Sequence, residues 1–269
     1  MSRSTAIHPA TGPSVAITIG AYKAVDFIRL NIAACRRVFG DSTPILISDD
    51  HSAYSESIQA LAGEEGCAYQ GSSNRRSHCS GDWQAFINGC VFARSCGADV
   101  AIKLSQRFVP VDHRFKDLLL SPFSDPNVAV VYPSQMSKKQ LARPGIKIYS
   151  MFSMLTDCFA WRASEVDPEM LLATFVERQM TGDKTATVPE FAWRQIVDRD
   201  FPGRAVGVEK LSNPVYGETK CYLRKASAKQ GEYHRLAVEL GLDGGNFDLR
   251  EWSLVEGAHY LPRPVVMNE

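Results

Sequence analysis

Between Val15 and Phe108 the chain alternates two kinds of apolar spacing, and that alternation fixes the class of fold. Val15-Ala16-Ile17-Thr18-Ile19, Ile45-Leu46-Ile47-Ser48 and Val100-Ala101-Ile102-Lys103-Leu104 are apolar runs of strand length, rich in β-branched residues. Between the first two, Val25, Ile28, Ile32, Cys35 and Phe39 recur at three- and four-residue steps, the spacing of an amphipathic helix. Each strand run ends in a polar cluster: Gly20-Ala21-Tyr22-Lys23, Asp49-Asp50-His51-Ser52 and Ser105-Gln106-Arg107. Strands alternating with helices build a parallel sheet, whose ligands sit in the crevice beyond the carboxyl ends of the strands. The three clusters are therefore expected side by side in one pocket.

The same spacing rules organise the rest of the chain. A helix is expected from Ala24 to Phe39, ended by Gly40. A second runs from Ser52 to Glu65, with Ser52 as N-cap and Ile58, Leu61 and Ala62 facing inward, followed by a short strand at Cys67–Gln70. The clearest helix spans Asp82–Ser95, with Trp83, Phe86, Ile87, Cys90 and Val91 on one stripe and Gly97 as its stop. Further elements follow: a helix at Phe115–Leu120, strands at Asn127–Tyr132 and Asp157–Arg162, and a helix at Pro189–Arg199 opened by its proline. A strand at Val206–Val208 and a helix at Ala226–Leu240 complete the set, and residues 134–150 read as a polar loop. The expectation is a flexible lead-in over residues 1–14, then one α/β domain over 15–269 with a mostly parallel twisted sheet flanked by helices. Residues 15–108, which carry the three polar clusters, form its first half and 109–269 its second.

Composition excludes several classes of function. Thirty basic and thirty acidic side chains cancel, so no general nucleic-acid partner is expected. Seven cysteines (35, 67, 79, 90, 96, 158 and 221) show no C-x-x-C spacing, which speaks for reduced thiols and against a metal cluster. No run of about 18 apolar residues is present, so no transmembrane helix is expected. A cytoplasmic location follows, with peripheral contact at the inner face of a membrane left open.

The clusters resemble the opening of family 2 GT-A glycosyltransferases. That family reads apolar strand, Pro-x-Tyr-Asn, helix, apolar strand, Asp-Asp-Gly-Ser; here Ile17-Thr18-Ile19-Gly20-Ala21-Tyr22-Lys23 and Ile47-Ser48-Asp49-Asp50-His51-Ser52 occupy those places. The helix from Asp82 and the strand to Leu104 stand where the family has an Asn- and Gly-rich helix and the strand leading to its Asp-x-Asp motif. The resemblance implies a GT-A fold, with residues 15–108 as its nucleotide-sugar-binding half and 109–269 as its acceptor-side half, and transfer of a sugar, with inversion, from a UDP-, GDP- or dTDP-linked donor to a hydroxyl of a saccharide or glycolipid acceptor. Bacterial surface polysaccharide assembly is the destination that the family implies. It also implies Mg or Mn on the diphosphate, yet Ser105-Gln106-Arg107 replaces the metal-holding carboxylates, and no metal ligand is assigned. Transfer without a metal is then expected, with Arg107 as the cation facing the leaving group.

The nucleotide-sugar site expected from this reading comprises Thr18, Gly20, Tyr22, Asp49, Asp50, Asp82, Lys103, Ser105 and Arg107. Asp49 and Asp50 would accept from base and ribose, or one of them would cap the following helix. Tyr22 would pack on the base or merely cover the helix start, and Asp82 would line the pocket floor or cap its helix. Lys103 shares the face of Ser105 and Arg107 but sits deeper. The run Asn74-Arg75-Arg76-Ser77-His78 is a phosphate-facing loop or a solvated surface. Glu190 is the candidate general base and Asp157 the second choice. Trp83, Trp161, Trp193 and Trp252 read as core. Two other functions use the same fold: a binding protein without turnover, and a sugar nucleotidyltransferase.

Overall fold

The computed structural model describes residues 12–73, 78–134, 156–181, 189–208, 211, 220–224 and 228–242. The elements are β1 (Val15–Ala21), α1 (Val25–Phe39), β2 (Ile45–Asp49), α2 (Ser55–Glu64), β3 (Ala68–Gly71), α3 (His78–Ser95), β4 (Val100–Ser105) and β5 (Val109–Pro110). After α4 (His113–Leu120) come a 3-10 turn (Ser121–Ser124), β6 (Val130–Pro133), β7 (Cys158–Arg162), α5 (Pro168–Thr181) and α6 (Pro189–Asp200). The last are β8 (Ala205–Val208), β9 (Tyr222–Leu223) and α7 (Gln230–Glu239).

Seven strands form one sheet in the order β3-β2-β1-β4-β7-β6-β8. All its neighbouring pairs are parallel except the two made by β7, which runs antiparallel to both β4 and β6. The chain leaves β1 toward β2 and β3, then returns to lay β4 against the other edge of β1. The crevice between β1 and β4 is thus a topological switch point, the place where open α/β sheets take their ligands.

Alternation along the strands splits the core in two. Ile17 and Ile19 of β1, Ile45 and Ile47 of β2, and Ile102 and Leu104 of β4 bury against Ile28, Ile32 and Cys35 of α1, Ile58 and Leu61 of α2, and Phe115 of α4. The opposite face carries Ala16 and Ala101, with Phe159 and Trp161, under Trp83 and Phe86 of α3, Leu171 of α5 and Trp193 of α6. Small residues on that face let α3 approach closely. A Cβ added at Gly89 of α3 would lie 3.0 Å from the Thr18 hydroxyl, so Thr18, 1% exposed, acts as a spacer under the helix. Trp83 and Trp193 stack at 5.7 Å, and Trp161 is equally buried; Trp252 lies outside the described residues.

A third cluster sits outside α1. The two-residue strands β5 and β9 pair antiparallel, and Val109, Leu223, Tyr233 and Leu236 pack on Phe27 and Leu30. The Tyr233 and Phe27 rings meet edge to face at 5.2 Å. This unit brings residues 220–224 and 228–242 back to the carboxyl end of the sheet.

Several boundaries differ from expectation for local reasons. Helix α2 begins at Ser55, three residues after Ser52, and its N-cap is Tyr54 without a side-chain bond. The Ser52 hydroxyl instead accepts from the Tyr54 and Lys23 amides at 3.0 and 2.9 Å, so it closes the turn before the helix. Helix α3 begins at His78, one turn before Asp82, which removes Asp82 from the capping position. Residues 1–11, 74–77 and 135–155 lie outside the described residues, and with them most of the lead-in, most of the basic run and nearly all of the polar loop. No described helix is long and apolar enough to cross a membrane. Cys35, Cys67, Cys90, Cys96, Cys158 and Cys221 are free thiols.

Candidate functional site

Three successive turns and one strand start meet at the switch point. After β1, Tyr22 leads into Lys23 and Ala24, both in the left-handed region with φ of 63° and 34°. After β2, His51 shares that conformation at φ 50°. Such backbone costs a non-glycine residue roughly 1–2 kcal/mol and persists where surrounding bonds enforce it. Here they do. The Gln106 side chain accepts from the Tyr22 N–H at 2.8 Å and donates to the Tyr22 carbonyl at 3.0 Å, clamping the β1 turn to the β4 turn. Lys23 N–H is held by Ser52 from the β2 side, and the His51 ring contacts the Ser72 carbonyl at 3.1 Å.

The β4 turn is fixed from below by Asn31, a fully buried amide in the middle of α1. Its Nδ2 donates to the carbonyls of Ser105, Gln106 and Phe108 at 3.2, 3.2 and 3.1 Å. Three carbonyls of the turn thus share one donor group, the Ser105 carbonyl accepting the Phe108 N–H as well. Asn31 was not legible as a site residue, and Gln106, expected at the pocket within its cluster, gave no sign of its clamping role. Their only sequence signal is a polar amide within an apolar stripe and next to a strand end.

Each expected residue has a definite place. Gly20 sits in β1 between Ser48 and Ser105. A Cβ there would touch Ala85 at 3.4 Å and the Lys103 stem at 3.6 Å, so its small size makes room for the lysine. Tyr22 is partly exposed, with Lys23 Nζ 5.3 Å from its ring centre. Asp49 is 1% exposed and turned into the β2–α2 junction. Its carboxylate accepts from the Ser52 N–H, the Ser55 hydroxyl at 2.5 Å and the Tyr69 hydroxyl at 3.2 Å. Burial and the Asp49 charge together raise the Tyr69 phenol above its ordinary value. Asp50 is half-buried and lies against α3, where a Cβ added at Gly81 would fall 2.5 Å from its Oδ2. Helix α3 also faces β2 through Asn88, which donates to the Ser48 hydroxyl at 3.0 Å and accepts from Gln84 at 2.7 Å.

The β4–β7 side is a cluster of alternating charges. Lys103, 1% exposed, forms an ion pair with Asp82 of α3, donates to the Thr156 carbonyl at 2.8 Å and lies 5.1 Å from the Phe86 ring centre. Ser105 donates to Asp157 Oδ1 at 3.0 Å, and its N–H to the Asp157 carbonyl at 2.7 Å. The other Asp157 oxygen accepts from Arg224 Nε at 2.7 Å. Burial would raise the Asp157 carboxyl, but the Arg224 guanidinium, with help from Lys103 and the Ser105 hydroxyl, holds it below the usual carboxylate range. Arg107 is 7% exposed, its guanidinium 5.6 Å from the Phe27 ring centre, and its carbonyl accepts the Tyr233 hydroxyl at 2.7 Å. Burial raises the Tyr233 phenol, against the pull of Arg107. Glu190 lies in the first turn of α6, its side chain outside the described residues.

The donors at the end of β4 do not fit a divalent cation. The Ser105 hydroxyl is bonded to Asp157, the Gln106 amide is used on both sides by Tyr22, and Arg107 is cationic. Among the described residues no group of three His, Cys, Asp or Glu side chains is placed to hold a metal. What the arrangement offers at the strand ends is Asp50 on the β1–β2 side and two acid–base pairs, Lys103–Asp82 and Arg224–Asp157, on the β4–β7 side.

Comparison with known proteins gives structural neighbours only. No protein-family model matches the sequence, and no curated protein does. Glucosyl-3-phosphoglycerate synthase from Mycobacterium tuberculosis, solved with Mn2+, UDP and glucosyl-3-phosphoglycerate, superposes with a TM-score of 0.50 at 11% identity, over 85% of this chain and 77% of that one. A glycosyltransferase involved in glycosylation of the major capsid of PBCV-1 gives 0.46 at 11% identity, over 84% and 100%. A cytidylyltransferase from Leptospira borgpetersenii gives 0.41 at 10%, over 70% and 72%. Identity at this level speaks to architecture, and together with the sheet order and crossovers it gives one conclusion: the chain has the GT-A fold of the nucleotide-diphospho-sugar transferases.

Proposed function

We propose that the chain is a glycosyltransferase that moves a sugar from a nucleotide-activated donor to a hydroxyl acceptor, with inversion and without a divalent cation. The observation that carries this reading is the clamped switch point. Gln106 ties the β1 and β4 turns together beside a charge cluster, which gives a fixed crevice of the kind that α/β sheets use for nucleotides. The M. tuberculosis neighbour was solved with UDP in the same fold, and that supports a nucleotide-linked donor. In this reading Tyr22 and Asp50 serve base and ribose, while Asp49 holds the turn that presents Asp50. Departure of a nucleoside diphosphate builds negative charge that fixed cations must meet. Lys103 and Arg107 supply part of that field.

The acceptor hydroxyl must lose a proton to a general base, whose pKa is best near the working pH. Asp157 is a poor base because Arg224 holds its carboxyl low. Glu190 keeps the role. Its helix is packed into the core by Trp193 on Trp83, the neighbour of Asp82.

The test is a thermal-shift and turnover screen with UDP-, GDP- and dTDP-sugars, with Mn2+ and with EDTA. At least one donor is expected to raise the melting temperature and be consumed in EDTA, and Glu190→Gln is expected to abolish turnover while nucleotide affinity is kept. Turnover that needs Mn2+ overturns the metal-free mechanism; absence of any nucleotide response overturns the function. The replaced Asp-x-Asp positions favour a second reading, a binding protein without turnover. Donors that shift the melting temperature yet stay intact would establish it.

A further inference from the structure

The charge cluster contains a residue that sequence order hides. Arg224 follows β9, more than a hundred residues beyond the end of β4, yet its Nε reaches Asp157 at 2.7 Å. Asp157 in turn is bonded to Ser105, the last residue of β4. The pairing of β5 with β9 makes this possible, because β5 begins two residues after Arg107 and fixes Leu223 opposite Val109. Tyr233 of α7 reinforces the placement through its bond to the Arg107 carbonyl. The Tyr233 hydroxyl thus ties the α7 unit to the β4 turn, while Arg224 ties the end of β9 to the start of β7 through Asp157.

Charge bookkeeping divides the crevice. On the β4–β7 side Lys103 pairs with Asp82 and Arg224 with Asp157, and Arg107, two residues beyond β4, adds a third cation to those two carboxylates. On the β1–β2 side the charged groups among the described residues are Asp50, Lys23 and the buried Asp49. A ligand with a neutral hydroxylated end and a polyanionic end matches that asymmetry in one orientation only. Lys103 is sealed at 1% side-chain exposure and Asp82 closes it from α3, whereas Arg224 keeps 13% and Asp157 36%. Of the two described cations paired with Asp82 and Asp157, Arg224 is the more open to solvent. A guanidinium is always charged and its fork matches phosphate oxygens.

We propose that Arg224 binds the diphosphate of the nucleotide donor, with Asp157 as the carboxylate that positions it until the ligand arrives. This rests on the nucleotide-sugar reading and supplies the contact that a metal gives elsewhere. The β9–α7 unit is then part of the site, since removing residues 220–242 would take away its diphosphate contact.

The test is isothermal titration of the full-length chain in EDTA with UDP, GDP and dTDP, with their nucleosides, and with inorganic pyrophosphate. The wild type is expected to bind one diphosphate at least tenfold more tightly than its nucleoside. Arg224→Ala is expected to lose about 30-fold for that diphosphate and for pyrophosphate, the scale of a hydrogen bond to a charged group, and to bind the nucleoside as before. Arg224→Lys is expected to recover part of the loss. Asp157→Asn frees the guanidinium from its carboxylate and is expected to tighten diphosphate binding several-fold. A merely structural ion pair makes the opposite prediction: Arg224→Ala and Asp157→Asn would weaken nucleoside and diphosphate alike. That pattern, or a diphosphate affinity unmoved by Arg224→Ala, overturns the assignment and leaves the nucleotide reading standing. A wild type that binds none of the probes overturns both.

Discussion

Asn31→Asp changes one atom of a buried side chain and inverts its hydrogen-bonding character. The wild-type amide donates to three carbonyls at 3.1–3.2 Å from a site with no solvent exposure. An ionised aspartate has no donor and would set its charge against those three oxygens. The folded variant avoids this by keeping its proton, which raises its pKa far above the unfolded value of about 3.9. Holding a carboxyl neutral at pH 7 costs about 1.4 kcal/mol for each of roughly three pH units, or about 4 kcal/mol in all. Because the folded pKa is the raised one, the penalty is full at high pH and shrinks as pH falls toward the unfolded pKa. Urea unfolding of variant and wild type from pH 4 to pH 8 measures the difference directly. The expected result is a gap of about 4 kcal/mol at pH 7 that closes by about 1.4 kcal/mol per unit down to pH 4. A variant within 1 kcal/mol of wild type at pH 7, with no slope, would refute the claim that Asn31 anchors the β4 turn.

Three further expectations concern the crevice walls. Gly81→Ala should destabilise by about 1–3 kcal/mol through the contact with Asp50; with Asp50→Gly present, which removes the opposing Cβ as well as the carboxylate, the same change should stabilise by up to about 1 kcal/mol, as alanine does inside a helix, and a double-mutant cycle in urea reads both. Lys103→Met leaves Asp82 without its buried partner and should cost about 3–5 kcal/mol in chemical unfolding, with much of that recovered when Asp82→Asn is added. The Asp157 carboxyl titrates below its unfolded value, so its stabilisation is complete above pH 4 and is lost as pH falls through the depressed pKa. Asp157→Asn should therefore flatten the acid limb of the stability curve, and an unchanged limb would count against the ion pair with Arg224.

The strand ends were legible because period-two apolar runs and helical stripes are local signals. Once Val15–Ile19, Ile45–Ser48 and Val100–Leu104 are strands, the crevice rule places Tyr22, Asp50 and Ser105 together without further information. What stayed hidden depends on partners distant in sequence. Lys103 reads as a strand-end cation until α3 delivers Asp82 onto the same sheet face. Gln106 and Asn31 carry no motif, since an amide gains its role only from the backbone groups it meets. Helix α5 escaped because apolar residues surround it. Leu171 and Thr174 are buried, while Leu172, Val176 and Met180 of the same helix are exposed, and no single stripe remains. Strands β5 and β9 are two residues each, below any periodic signal, yet they carry Arg224 to the site. The reversed direction of β7 is a property of the whole sheet and has no local mark.

A catalyst that replaces a metal ion with a side chain must solve a problem the ion does not pose. A divalent cation brings concentrated charge and adjusts its own position among its ligands. A guanidinium sits on a flexible stem and stabilises a departing diphosphate only if it is already aimed there, because reorganisation at the moment of reaction cancels the gain. On the proposed reading the chain meets that requirement in layers. Asn31 fixes the carbonyls of the β4 turn, Gln106 ties that turn to β1, Ser105 orients Asp157, and Asp157 holds Arg224 at one end of its fork. Each member is fixed by hydrogen bonds to a neighbour that is itself held. On the proposed reading, the replacement of acidic residues after β4 and the density of amide and hydroxyl bonds around that turn therefore have one cause. The polar scaffold supplies the rigidity that metal coordination would otherwise provide, and loosening it at Gln106 should impair the chemical step more than donor binding.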